Sequence, residues 1–212
     1  SAHPLDLQSA ASIEACLDAV TASWGRIDVL VNNAAVGSAT VAAYADDAAA
    51  QDSALLAINA DGNLKMAQGF VRRIRDVPRE RAAKLINLSS VGGGVAVFPG
   101  FRLADGMSKA AAAFMTRQLA AESVHLPLDV FAVCPGATNT PMFQASTLNM
   151  MSAAERARFL KTLPKGRLIE PAEIAEIIAF LASDHSTVLH GAVIDASMGL
   201  GVRPGLMTEY EH

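Results

Sequence analysis

Apolar residues recur along this chain with two alternating periods, one typical of helices and one typical of buried strands. After Ser9, apolar side chains fall three or four residues apart, which predicts a short amphipathic helix that stops at Gly25. The continuous apolar run at residues 27–31 then predicts a strand that is buried on both faces.

This alternation continues to the end of the chain. Helices predicted over residues 53–74 and 108–122 alternate with strands predicted at 84–88 and 130–134. Ser152 and Glu155 form a capping-box pattern that opens a short helix, Pro171 begins another helix, and a last strand is expected at 192–194. Alternating strands and helices predict an α/β fold, a Rossmann-like doubly wound parallel sheet in three α/β/α layers. We expect it to form a single domain over residues 1–212.

The composition narrows the class of protein. A chain with 51% hydrophobic and 18% charged residues buries a core, which excludes a disordered segment. Neither a membrane-spanning run nor a signal peptide is recognisable, so we expect a cytoplasmic protein without a membrane partner. A net charge of -4 with dispersed basic residues argues against nucleic acid as a partner. Cys16 and Cys134 are expected to be buried free thiols, and the histidine spacing predicts no metal site.

Ligands of open parallel sheets bind beyond the carboxyl ends of the strands. In this chain those ends fall at residues 32–35, 88–94 and 135–140. Asparagine, serine, threonine and glycine are concentrated in these three segments, so they are the candidate site.

The same segments resemble motifs of the short-chain dehydrogenase/reductase family. In chain order the matching pieces are the N-N-A-A turn at 32–35, I-N-A at 58–60, L-S-S-V-G at 88–92, S-K-A at 108–110 and P-G-A-T-N-T at 135–140. They cover nearly the whole chain in the order and spacing of the family. The resemblance implies an oxidoreductase that transfers a hydride between NAD or NADP and a small-molecule substrate, an alcohol or ketone.

The resemblance also implies roles for individual residues. In the family, a serine binds the substrate oxygen and a tyrosine passes the proton, while a lysine lowers the tyrosine pKa and holds the nicotinamide ribose. An asparagine fixes a helix break and a relay water. Carried over, the catalytic positions are Ser90, Asp105, Lys109 and Asn59. The cofactor-binding positions are Asp6, Leu7, Asn32, Ala34, Ala35, Lys109, Pro135, Gly136, Thr138 and Thr140.

The chain departs from the family pattern at three places, of which the last is the family's D-G-G after the final strand, which here reads S-M-G at 197–199. The tyrosine position, four residues before Lys109, is Asp105, whose side chain is shorter by most of a ring. The interval from Ser90 to Asp105 is also two residues longer than in the family, with glycines at 92–94 taking up the excess. The chain's two tyrosines, Tyr44 and Tyr210, are not placed at the site by any pattern.

The second departure concerns the glycine-rich turn that holds the cofactor pyrophosphate at a helix start. The chain begins near what would be the third strand, so we expect a fold that is N-terminally truncated relative to the family. The glycines at 92–94 lie on the serine loop and are no substitute. Two alternatives therefore stay open. One is a redox-inactive relative, either a cofactor-free acid/base enzyme such as a dehydratase or isomerase, or a non-catalytic partner subunit. The other is that the chain is part of a longer dehydrogenase.

Each candidate residue also has a purely structural interpretation. Asn32 and Asn33 could bridge strands, Ser90 could be a capped strand end, and Asp105 could be a helix N-cap. Lys109 could be an ordinary solvated lysine or an ion-pair partner of Asp105, and Asn139 and Thr140 could cap the loop after 135–136. Methionines between 142 and 151 indicate a mobile apolar lid or an oligomer contact. The Ala- and Leu-rich helices at 53–74 and 108–122 predict a homo-oligomer, either a dimer or a tetramer.

Overall fold

Four parallel strands form the centre of the computed structural model, which describes residues 1–75 and 77–202. They pair in chain order, β1 with β2, β2 with β3 and β3 with β4. Their bounds are β1 Val29–Asn32, β2 Ala83–Leu88, β3 Leu128–Pro135 and β4 Val193–Ala196. Since all four strands are parallel, their carboxyl ends meet at one edge of the sheet.

Helical segments connect the strands. The α-helices are α1 Ala10–Trp24, α2 Ala48–Leu56, α3 Asn63–Arg75, α4 Val91–Gly94, α5 Leu103–Glu122, α6 Pro141–Ser146, α7 Ala153–Thr162 and α8 Pro171–Leu181. A π-helical turn, Ala57–Gly62, joins α2 to α3. Short 3-10 turns lie at Val41–Ala43, Leu148–Met150, Pro164–Gly166, Asp184–Leu189 and Leu200–Val202.

Alternate side chains of the central strands form two hydrophobic cores. Leu85 and Val130 face one side, where they join apolar residues of α1, α3 and α5. Ile86 and Phe131 face the other side, where they join residues of α8. This alternation is the period of two expected of a strand buried on both faces. Helices therefore cover both faces of a parallel sheet, which confirms the predicted Rossmann-like fold class.

The predicted first strand and two predicted helices need correction. The strand expected at 27–31 lies at Val29–Asn32, and it is not buried on both faces because it is the sheet edge within the described residues. The helix expected at 53–74 is helical from residue 48 to residue 75, with the π-helical turn in its middle. The helix expected at 108–122 begins five residues earlier, at Leu103.

Other local predictions are confirmed. Ser9 caps α1 and Gly25 ends it with a φ of 79°. Ser152 and Glu155 form the reciprocal capping box of α7. Cys16 and Cys134 are both free, although only Cys134 is buried. Over residues 1–75 and 77–202, no helix has both the length and the apolar character needed to span a bilayer.

Candidate functional site

A cavity of about 620 Å³ opens beyond the carboxyl ends of β1, β2 and β3. It brings together three of the four predicted catalytic residues, Ser90, Asp105 and Lys109. Its wall also includes the predicted cofactor-binding residues Pro135, Gly136, Thr138 and Thr140. Segments that are far apart in the sequence thus meet at the edge of the sheet where a ligand is expected.

Ser90 leaves β2 and caps the short helical turn α4, where its hydroxyl accepts a hydrogen bond from the Gly92 N–H at 3.2 Å. The predicted capping role is therefore present, and the serine also lines the cavity. The next residues pack directly on α5. A Cβ at Gly93, whose φ is 92°, would overlap the Gly106 carbonyl oxygen and come within 3.0 Å of its carbon. Backbone-to-backbone contact thus fixes the serine loop against the first turn of α5.

Asp105 lies in the first turn of α5 and is not its N-cap, which corrects the sequence-based interpretation. Arg102 occupies the cap position, and its guanidinium donates to the Asp52 carboxylate at 2.6 Å and to the Ala48 carbonyl at 3.0 Å on α2. These bonds explain why the helix starts before its apolar pattern begins. The Asp105 carboxyl is buried, and it accepts a hydrogen bond from the Ser38 hydroxyl at 2.8 Å.

Lys109 lies one turn beyond Asp105, half-buried at the cavity wall. The predicted ion pair with Asp105 is not formed, and the ammonium has no hydrogen-bond partner within residues 1–75 and 77–202. Burial lowers the pKa of Lys109, while attraction to Asp105 and Cys134 opposes that shift. A partly dehydrated ammonium that has no hydrogen-bond partner in the described part of the chain therefore lies at the cavity wall.

Asn59, the fourth predicted catalytic residue, does not line the cavity. Its amide is buried, with Oδ1 accepting from the Val36 N–H at 2.9 Å and Nδ2 donating to the Val36 carbonyl at 2.8 Å. It lies in the π-helical turn, and Asn63 Nδ2 donates to the Asn59 carbonyl at 2.8 Å. The side chain therefore clamps the loop after β1 to a break in the helix.

Asn32 is buried and bridges strands, in agreement with its structural interpretation. Its Nδ2 donates to Asn87 Oδ1 on β2 at 3.0 Å and to the Asn63 carbonyl at 3.2 Å. Ala34 and Ala35 lie in the irregular segment that follows β1, and neither lines the cavity. A cofactor role for these three residues remains a prediction.

Asp6 and Leu7 lie apart from the cavity. The exposed Asp6 carboxylate accepts a hydrogen bond from the Gln8 N–H at 2.9 Å, which turns the chain into α1. Leu7 is buried against Gly62, where a Cβ would come within 2.6 Å of the Leu7 carbonyl oxygen.

The loop after β3 is held by its own threonines. The Thr138 hydroxyl donates to the Gly136 carbonyl at 3.0 Å, and the Thr140 hydroxyl accepts from the Phe143 N–H at 3.2 Å. Thr140 thus caps α6, a helix that the sequence pattern did not predict. Both threonines still line the cavity.

Residues of α6 and α7 form part of the apolar wall of the cavity. The rings of Phe143 on α6 and Phe159 on α7 pack with centroids 6.3 Å apart. Met142 lies so close to Gly37 that a Cβ there would come within 2.8 Å of its sulfur. Met150, by contrast, is 82% exposed and not part of the wall. The methionine segment therefore contributes Met142 to the cavity while Met150 faces outward.

Two serines near the site were missed by the sequence analysis. Ser38 binds the Asp105 carboxyl, and Ser89 donates to the Lys109 carbonyl at 2.8 Å. Ser38 follows the N-N-A-A turn without a motif of its own, so only the tertiary fold reveals it. Tyr44 is exposed and does not line the cavity, and Tyr210 lies outside the described residues.

Comparisons with known proteins agree with this architecture. A family model described as enoyl-(acyl carrier protein) reductase matches residues 1–201. The oxidoreductase UcpA of Salmonella typhimurium is 31% identical over 202 residues, which cover 92% of this chain and 74% of that protein. The acetoacetyl-CoA reductase of Shinella zoogloeoides is 32% identical, with 89% of this chain and 75% of that protein covered.

Solved structures show the same backbone arrangement. The 3-oxoacyl-[acyl-carrier protein] reductase of Brucella melitensis in complex with NAD has a TM-score of 0.80 and 26% identity, covering 93% of this chain and 76% of that chain. The Pseudomonas aeruginosa RhlG/NADP active-site complex also has a TM-score of 0.80 and 26% identity, covering 93% and 75%. The chain spans about three quarters of the length of these proteins.

Proposed function

Because the chain belongs to the short-chain dehydrogenase/reductase family and is an NAD(P)-dependent oxidoreductase of alcohols or ketones, we propose that Ser90, Asp105 and Lys109 carry its chemistry. The observation that carries this proposal is their convergence on one cavity at the carboxyl ends of the strands. Asn59 acts from outside the cavity as a positioning residue.

The residues of the cavity fit the nicotinamide-ribose half of the cofactor. The Lys109 ammonium has no partner among the described residues, so its donors are available to ribose hydroxyls. Pro135, Gly136, Thr138 and Thr140 line the same cavity beside it. When bound, the nicotinamide supplies or accepts the hydride. The proposal names NAD(P) without a preference between its two forms, and the two relatives of known structure were solved with NAD and with NADP.

Ser90, Asp105 and Lys109 have different roles in the reaction. The Ser90 hydroxyl donates a hydrogen bond to the substrate oxygen and orients it. Asp105 replaces the tyrosine of the family as the group that takes the proton during alcohol oxidation and returns it during ketone reduction. The positive charge of Lys109 attracts the carboxylate form of Asp105, which is the form that accepts a proton.

The wall of the cavity indicates the kind of substrate. Phe98, Phe101, Phe143 and Phe159 line it together with Met142, beside the polar side chains of Ser90, Asp105 and Lys109. Such a lining favours a small alcohol or ketone with an apolar body and one oxygen to be positioned.

We also propose that residues 1–212 form one domain that assembles into a homodimer or homotetramer in the cytoplasm. Leu103, Met107 and Phe114 lie on one face of α5, where each is more than half exposed. A second copy of the chain that packs against this face of α5 would shield the three side chains from water. The two free cysteines suit a reducing compartment. Light scattering after size exclusion tests the assembly, and a mass equal to one chain would refute it. Cell fractionation tests the location, and recovery outside the cytosol would refute that.

Calorimetric titration with NADH and NADPH tests the proposed function, with acetophenone and cyclohexanone as trial ketones. We expect cofactor binding by the wild type, weaker binding by Lys109→Met, and full binding without turnover by Asp105→Asn. Lys161→Met, which removes an exposed lysine, is the matched control and keeps both properties. If neither cofactor binds at millimolar concentration, the proposed function is wrong.

A further inference from the structure

Ser38 contributes a hydroxyl to the cavity at the point where the Asp105 carboxyl is buried. Ser38 is partly exposed, whereas Asp105 is only 6% exposed. The Ser38 hydroxyl donates to Asp105 Oδ2 at 2.8 Å. Among the described residues, no other side chain hydrogen-bonds this carboxyl. Ser38 and Asp105 thus line the same cavity and are joined by this hydrogen bond, with Ser38 the more exposed of the two.

The fold holds both ends of this hydrogen bond through Asn59. On one side its amide binds both backbone groups of Val36, two residues before Ser38. On the other side its Nδ2 donates at 3.3 Å to the Ser108 hydroxyl, which donates at 2.8 Å to the Asp105 carbonyl. One buried amide thus fixes the loop that carries Ser38 and the first turn of α5 relative to each other.

The turn that carries Ser38 is also braced from within. The Gly37 N–H donates to the Thr40 hydroxyl at 2.9 Å, and the Thr40 N–H donates to the Gly37 carbonyl at 2.9 Å. A side chain presented by such a braced turn keeps its position, which is the requirement for a group that transfers a proton.

We propose that Ser38 passes the proton between the substrate oxygen and Asp105, a role that rests on the proposed function. An aspartate at the tyrosine position reaches less far into the cavity, and this one is buried. The Ser38 hydroxyl lies one hydrogen bond further out, at the cavity wall. It extends the reach of the carboxyl and restores a hydroxyl as the group that meets the substrate.

In alcohol oxidation the step balances as follows. The substrate O–H bond breaks and its proton bonds to Ser38 Oγ, while the original Ser38 proton moves to Asp105 Oδ2. The electron pair left on the substrate oxygen forms the second C–O bond as the carbon-bound hydrogen departs as hydride to the oxidant, the nicotinamide of the proposed function. The protonated Asp105 then returns its proton to water. Ketone reduction is the reverse.

The experiment compares Ser38→Ala with Ser38→Thr, which keeps a hydroxyl, and with Ser23→Ala as the matched control. Ser23 lies on α1 away from the cavity, where its exposed hydroxyl donates to the Ala19 carbonyl at 2.8 Å. We expect Ser38→Ala to lower kcat by about 10²-fold with NADH affinity unchanged, in line with the contribution of a positioned proton-transfer group. Ser38→Thr keeps most of the rate and its solvent isotope effect, and Ser23→Ala resembles the wild type.

A second readout uses the protein without cofactor. The infrared band of the Asp105 carboxyl, assigned by its loss in Asp105→Asn, is expected to shift in Ser38→Ala and to stay in place in Ser23→Ala. This measurement reports the hydrogen bond itself, independently of any turnover.

Two results would overturn the relay. If Ser38→Ala turns over like the wild type while Asp105→Asn is inactive, Asp105 meets the substrate directly, and the proposed function stands without the relay. An infrared band unmoved in Ser38→Ala contradicts the hydrogen bond and the relay with it. Failure of the wild type to bind either nicotinamide is a different result, because it removes the proposed function and the relay together.

Discussion

Gly93 offers a direct test of how the serine loop is held against α5. Replacing it with alanine places a Cβ against the Gly106 carbonyl, at a φ of 92° that alanine rarely adopts. The backbone strain costs about 1–3 kcal/mol, and the overlap adds about 1–3 kcal/mol because neither backbone can move without shifting α5. Gly100→Ala separates the two contributions. Its φ is also positive, at 81°, but nothing lies within 4 Å of the added Cβ.

The assay is the free energy of unfolding of both variants, measured by urea denaturation. Gly100→Ala is expected to lose only the strain contribution, so Gly93→Ala should be less stable by a further ~1–3 kcal/mol. In a domain of this size each kcal/mol corresponds to about 2–4 °C in Tm. Gly93→Ala should also lose activity, since Ser90 moves away from Asp105. Equal destabilisation by the two substitutions would refute the claim that close packing fixes this loop.

Three further predictions follow from single side chains. Asn59→Ala leaves the buried Val36 N–H and carbonyl without their partners, so it should destabilise the protein by about 1–3 kcal/mol for each group. A decrease of less than about 1 kcal/mol in the free energy of unfolding, measured by urea denaturation, would contradict the role of Asn59 in holding this loop. Burial lowers the pKa of Lys109, so its charge opposes folding at neutral pH and stability should rise as pH approaches its ordinary pKa of 10.5. Lys109→Met should therefore raise Tm at neutral pH, and an unchanged Tm argues against the burial cost. Hydrogen bonding to Arg167 lowers the pKa of Glu173 to about 2, below its ordinary 4.5. The ionised Glu173 carboxylate stabilises the fold fully above pH 4.5, and this stabilisation is lost as pH falls through about 2. Between these pH values Tm should therefore decline less steeply in Arg167→Ala than in the wild type. Identical Tm profiles would contradict a stabilising hydrogen bond between Arg167 and Glu173.

The period of the apolar residues was enough to predict the sheet and its covering helices. β2 and β3 are buried on both faces, so most of their side chains are apolar, with Lys84, Asn87 and Asp129 as the polar exceptions. β1 carries a similar run, yet its burial depends on neighbours in space, which a local pattern does not encode. Helix starts were predicted least well where tertiary contacts decide them, as with Arg102 and the α2 carboxylate it binds.

The candidate site shows the same distinction between residues that a local pattern identifies and residues that only the tertiary fold identifies. Residues in family motifs, such as Ser90, Lys109 and Thr140, were found from sequence and meet in the cavity. Ser38 was not found, because its importance arises from a contact with Asp105, which lies 67 residues away in the chain. A family motif describes only its own positions, so it gives no information about a partner such as Ser38 that lies outside every motif.

Hydride transfer itself can be measured with NADH and NADPH that carry deuterium on the nicotinamide, using acetophenone and cyclohexanone as acceptors. Mass spectrometry of the product alcohols reports whether deuterium has reached the carbinol carbon. The account predicts deuterated alcohol with the wild type and none with Asp105→Asn, although that variant still binds the cofactor. Deuterium transfer at an equal rate in Asp105→Asn would contradict the role given to this carboxyl.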